Sequence, residues 1–176
     1  SATKMTIAAN GTVTLASPAL SNVVIQLQTA QATTSGTSID FTGIPSGVKR
    51  VNVMFNAVST NGTSVLLMRV GAGSVATSGY TSQVMQATSA TTSTSGFVLT
   101  HDSAAASNRA GIATICLVSS NTYVSSAILS CPDNGLQIAT SGGTVALGGA
   151  LDRVRITTVN GSDTFDAGSV NISWEF

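Results

Sequence analysis

The chain has 176 residues, in which 7 Lys and Arg balance 7 Asp and Glu, and only 8% of positions are charged, against about 25% in an ordinary soluble domain. With 43% hydrophobic residues and about 50 Ser and Thr, the composition excludes a disordered polyelectrolyte. It equally excludes a nucleic-acid binder that works by neutralising phosphates, because scattered cations beside as many anions make no basic field.

Ser1-Ala2-Thr3-Lys4 lacks the apolar stretch of a signal peptide, and Ser1-Ala2 fits a short protein after loss of its initiator Met. Strands are expected at 4–8, 11–15, 22–28 and 37–41. Val51, Val53, Phe55 and Ala57 then alternate with Asn52, Met54 and Asn56, the period-two pattern of a half-buried strand. Further strands are expected at 64–70, 97–101, 111–119, 124–130, 136–140 and 144–148. Val154 and Ile156 alternate with Arg153, Arg155 and Thr157. Val170, Ile172 and Trp174 alternate with Asn171, Ser173 and Glu175, which places Trp174 in the core. The biased stretches 29–38 and 86–96 read as long surface loops, and Ala104–Ala106 as one helical turn at most.

Asn-Gly at 10–11, 61–62, 134–135 and 160–161 is a strong short hairpin signal. The same asparagines at 10, 61 and 160, with Asn171, match the glycosylation pattern, which is read here as turn and strand chemistry. Gly43-Ile44-Pro45-Ser46-Gly47 and Cys131-Pro132-Asp133-Asn134-Gly135 add two reversals. Many short strands, frequent turns and no internal repeat predict one all-β domain over 1–176, an antiparallel β-sandwich of jelly-roll-like form. No apolar run approaches the roughly 18 residues that cross a bilayer, so no membrane insertion is expected. Cys116 and Cys131 flank a hairpin with Asn121 near its tip. Simple pairing about that tip puts Cys116 opposite about residue 127, so two buried thiols are expected rather than a disulfide.

Catalytic chemistry finds little footing. His101-Asp102 supplies an imidazole and a carboxylate, but no Gly-x-Ser-x-Gly elbow holds a serine against them. Asp163 and Asp166 are close in sequence, yet Asn160-Gly161-Ser162 before them reads as a turn that caps its own backbone. Gly71-Ala72-Gly73 starts like a dinucleotide loop and has no helix after it. No catalytic, cofactor or metal residue is therefore assigned, and no enzyme is expected. Lys49 with Arg50, and Arg153 with Arg155, read as edge protection or as ion pairs with neighbours such as Asp152. Their alternative is the holding of anionic sugars. Tyr80 and Tyr123 fall in polar contexts where an exposed ring stacks on a sugar or a protein neighbour. With Asn121 they are the candidate receptor or partner contacts.

Two blocks, Thr37–Ser64 and Leu151–Ile172, resemble small bacteriophage and prophage virion proteins of the tail-fibre-like group. In both, the residues are framework: alternating strand positions, Asn-Gly turns and, in the first, the Gly43–Gly47 Pro turn. The resemblance implies an all-β virion protein that forms a trimer and contacts other virion proteins and a host-surface glycan or protein. It transfers no catalytic residue. The expected function is multivalent attachment to the host cell from the tail tip, where linked weak sites gain about 10²–10⁴-fold in avidity. A capsid decoration or head-fibre role is the alternative, and a polysaccharide depolymerase ranks below both.

Overall fold

A computed structural model describes residues 25–101, 104–133, 135 and 137–176, together with the backbone of two strands nearer the N-terminus. Those two are β1 (Lys4–Ile7) and β2 (Val13–Ala16), paired antiparallel with Ile7 opposite Val13. There follow β3 (Gln26–Leu27), β4 (Gln31–Ala32), β5 (Ser38–Thr42), β6 (Arg50–Thr60), β7 (Leu66–Ala72), β8 (Ser74–Val75), β9 (Tyr80–Gln86) and β10 (Ser89–Ser93). The chain continues with β11 (Phe97–Val98), β12 (Arg109–Ser119), β13 (Thr122–Cys131), β14 (Gln137–Ala146), β15 (Arg153–Thr158) and β16 (Phe165–Glu175).

Among the described residues these strands form a large sheet ordered β10-β9-β14-β13-β12-β6-β16-β3, with β4 also on β16. A small sheet is ordered β11-β7-β15-β5, with β8 also on β7. All pairings are antiparallel, and the two sheets pack face to face around a main core and a smaller cluster of Leu67, Val84, Val98 and Ala139, the sandwich expected from the alternating apolar pattern. Val51, Val53 and Phe55 of β6 lie opposite Trp174, Ile172 and Val170 of β16. Facing them from the small sheet are Ile39 and Phe41 of β5, Met68 and Val70 of β7, and Val154 and Ile156 of β15, all buried.

Several local expectations are corrected. Residues 86–96 are not a long loop: Gln86 pairs with Ser89 across a tight turn, and β10 runs back along β9. The strands expected at 136–140 and 144–148 are one continuous β14, in which Gly142 and Gly143 pair as ladder residues on both sides. Asn61-Gly62 and Asn160-Gly161 close no hairpin, since each joins a strand of one sheet to a strand of the other. Asn10-Gly11 and Asn134 lie outside the described residues.

Asn121 does sit in the β12–β13 turn, beside Ser120 at φ 49°. The turn is tight and a register shift lies between Leu117 and Ser119, so Cys116 faces Val124 rather than residue 127. Cys131 pairs with Gln137 at the other end of β13, about 24 Å along the strand at about 3.4 Å per residue. No disulfide joins the two cysteines, in line with expectation; Cys131 is buried and Cys116 half-buried.

Candidate functional site

The two candidate tyrosines come together in the fold, but on the inner side of the large sheet. Tyr80 of β9 and Tyr123 of β13 both lie opposite Val145 of β14, so they share one row across the sheet. That row faces the core: Tyr80 is 2% exposed and Tyr123 4%. The Tyr80 hydroxyl accepts the Val70 amide N–H of the small sheet at 2.9 Å and lies within donating distance of the Val70 and Ala76 carbonyls, at 3.1 and 3.2 Å. Its ring meets Phe97 edge-on at 5.0 Å, and burial pushes the phenol above its usual range. The Tyr123 hydroxyl accepts the Leu151 N–H at 2.9 Å. Tyr80 therefore braces the large sheet against β7 of the small one, Tyr123 ties β13 to the loop that leads into β15, and neither is an exposed stacking platform. Polar neighbours in sequence had suggested exposure, whereas strand alternation decided the facing. Asn121 is half-buried, and its carbonyl accepts the Leu147 N–H at 3.0 Å.

The surface that stands out is the outer face of the large sheet, which sequence reasoning did not single out. Its rows follow from the register. One row runs Met54, Ile112, Ile128, Thr140, Met85 and Ala90 across five strand boundaries. Ile112 is 50% exposed, Ile128 61% and Met85 55%. Two residues along the strands, the next row runs Asn52, Thr114, Ser126, Gly142, Gln83 and Thr92. Beyond it come Arg50, Cys116, Val124, Thr144 and Thr81. The first row is an apolar ridge. The second, narrowed to a hydroxyl at Ser126 and to nothing at Gly142, is the floor of a trough beside it. Two depressions follow that floor. One of about 480 Å³ lies over Thr114 and Ser126, walled by Ile112, Ile128 and Thr140. One of about 410 Å³ lies over Gly142, Gln83 and Thr92, walled by Thr81 and Thr144.

Charge is nearly missing from this face. Within these rows the one charged side chain is Arg50, paired with Glu175 of β16 at 3.2 Å. The outer face of the small sheet is its opposite. There Arg155 stands between Asp40 and Arg69 in one row, with Arg153 two positions away. Asp40 binds Arg155 through two bonds of 2.7 Å, and Asp152 binds Arg153 at 2.7 and 3.1 Å. Arg153 and Arg155 thus form ion pairs, as the sequence suggested for Arg153 and Asp152, while Arg69 donates to the Ser95 carbonyl at 2.8 Å.

The bond from Arg153, with the Gly73 N–H at 2.9 Å, holds the Asp152 carboxyl below its usual range. Asn108, through its side-chain amide at 2.6 Å and its own N–H at 3.1 Å, does the same for Asp133. A carboxylate with a lowered folded-state pKa stabilises the fold above the unfolded value, and that contribution is lost as pH falls through the folded one. The melting temperature is therefore expected to drop on acidification below about pH 4. Asp152→Asn should flatten that slope in thermal scans across pH.

Asp163 is a clamp. Its carboxylate accepts the Ser64 N–H at 2.8 Å and the Asn160 amide at 2.6 Å. Asn160 itself accepts from the Ser162 and Asp163 N–H groups and from the Thr158 hydroxyl. This is the self-capping turn read from Asn160-Gly161-Ser162, extended to tie down the neighbouring β6–β7 loop. A Cβ on Gly62 would fall 2.1 Å from Asp163 Oδ2, so that loop needs glycine for the carboxylate to reach it. Asp163→Ala is expected to cost about 2 kcal/mol, the scale of losing hydrogen bonds to a charged acceptor, measured by urea unfolding. Asp166 accepts from the Ser59 hydroxyl. His101 has its backbone N–H bound to Gln86 Oε1 at 3.0 Å, and Asp102 lies outside the described residues. Among the described residues, no three His, Cys, Asp or Glu side chains gather as metal ligands.

No family model, curated protein or solved structure matches the chain.

Proposed function

We propose that the protein is a structural, contact-making component of a bacteriophage particle, of the tail-fibre-like kind, whose task is multivalent attachment to the host surface. The observation that carries the contact reading is the outer face of the large sheet. It is broad, almost free of charge and streaked with exposed Ile, Val and Met. Such a surface costs free energy in water and gains it against another surface. The phage origin and the attachment task rest on the resemblance of the Thr37–Ser64 and Leu151–Ile172 blocks.

A specific observation favours the capsid-decoration alternative as the second reading. With Tyr80 and Tyr123 turned inward, the rows of the broad face carry no aromatic ring for a sugar to stack on, and that face suits a protein neighbour better. Two measurements on the phage that encodes the protein separate the readings. Gold-labelled antibody against the purified protein should mark the tail tip for attachment and the head for decoration. Excess purified protein should slow adsorption to host cells in the first case only. Particles that bind no antibody anywhere remove both readings.

A further inference from the structure

We infer that the outer face of the large sheet is the interface with a second copy of this chain, the two copies packing sheet to sheet about a twofold axis that lies between them and runs across the strands. The inference rests on the contact reading above and names the occupant of that face.

The argument is geometric. A twofold interface presents the same patch twice, so the patch must complement itself. Here the ridge and the trough are parallel and about 6.8 Å apart, two residues along each strand. An axis parallel to both, midway between them and in the plane of contact, turns each ridge onto the other copy's trough. Every strand then lies over its own counterpart, running the opposite way. Ile128 comes to face the partner's Ser126, Ile112 the partner's Thr114, and Thr140 the partner's Gly142. The same operation carries the row of Val124 and Thr144 over the row of Ser130 and Ile138, so Val124 faces the partner's Ser130 and Ile138 the partner's Thr144. Ile or Val meets Ser or Thr at four of these positions and Thr140 meets Gly142 at the fifth, while Met85 falls on the partner's Gln83 and Met54 on its Asn52. Sliding the partner by two residues, which moves the axis by one, would set Ile128 on the partner's Ile128 and leave the trough unfilled. Two sheets so opposed settle at about 10 Å.

Area and charge agree. Seven strands, β16 to β10, at about 4.8 Å spacing and about eight residues of about 3.4 Å give on the order of 900 Å² per copy. A stable interface needs about 800 Å² from each partner. The single ion pair, Arg50 with Glu175, leaves the face without net charge, so no field opposes the approach of an identical face. The contact yields a dimer or an even-numbered assembly, in place of the trimer that the resemblance implies.

Sedimentation of the full chain at micromolar concentration tests this. The wild-type protein should run at twice its chain mass. Ile128→Lys, a change at an exposed position, should raise the dissociation constant at least about 30-fold, with thermal unfolding of the dissociated chain retained. Ser126→Phe is the more decisive variant. It adds apolar surface, so nonspecific sticking would grow, but it fills the trough, so the proposed pairing should be lost. Thr42→Lys, on the small sheet, should leave the dimer intact. A monomeric wild type, or a dimer that survives Ser126→Phe, overturns the inference. Should Ile128→Lys fail to fold, Ser126→Phe alone decides. A monomer that still labels phage particles ends the pairing and keeps the virion reading; a dimer that labels none does the reverse.

Discussion

Tyr80→Ala is expected to cost about 4 kcal/mol, the range for deleting a buried aromatic side chain, read as a shift in the urea midpoint. Three losses combine. The ring leaves a hole against Phe97, the Val70 N–H loses its acceptor, and the brace between β9 and β7 disappears. Tyr80→Phe separates these terms. It keeps the ring and removes only the hydroxyl, leaving a buried donor unsatisfied at about 1–3 kcal/mol. Urea curves for Tyr80→Phe that overlay the wild type would mean that the hydroxyl holds nothing.

Gly111→Ala should be about as damaging. Gly111 pairs with Phe55 at the edge of the β12–β6 register shift that separates it from Arg109, which pairs with Val58, and its φ is +151°. A Cβ there would lie 2.1 Å from the Ile128 carbonyl oxygen and 3.0 Å from the Leu129 Cα. Both obstacles are backbone of the paired strand and cannot rotate aside. Strain of about 1–3 kcal/mol and overpacking of about 1–3 kcal/mol sum to roughly 2–6 kcal/mol. Gly148→Ala is the control: nothing lies within 4 Å of its Cβ position, so its midpoint should stay within about 0.5 kcal/mol of wild type. Equal behaviour of the two variants would refute the bulge as a glycine requirement.

Where inward residues were apolar, the fold was readable from the chain. Val51, Val53 and Phe55, or Val170, Ile172 and Trp174, announce both a strand and its facing. β9 stayed hidden because its inward face is Tyr80, Ser82, Val84 and Gln86. Ser82 and Gln86 are buried to serve backbone that the ladders leave unpaired: Ser82 accepts the Val98 N–H at 2.9 Å, and Gln86 accepts that of His101. Polar side chains recruited in this way erase the hydropathy period while obeying the structural one. β10 was invisible for a simpler reason: an edge strand made of Ser, Ala and Thr carries no period at all. The broad face escaped notice because its ridge is assembled from single residues of different strands. Met54, Ile112, Ile128 and Met85 are neighbours only through register, which one-dimensional inspection cannot supply. The tyrosines illustrate the reverse error, in which local polarity outweighed the alternation that buries them.

The order of the large sheet also sets a clock. β6 lies between β12 and β16, and Arg50 meets Glu175 across 125 positions of chain. On a ribosome adding about 5–20 residues per second, β6 emerges on the order of ten seconds before its second neighbour exists. Through that interval one flank of a strand bearing Val51, Val53 and Phe55 has no ladder, the condition under which nascent chains capture one another. The fold must therefore close after synthesis of β16, and its yield in a cell will depend on whatever shields that flank meanwhile.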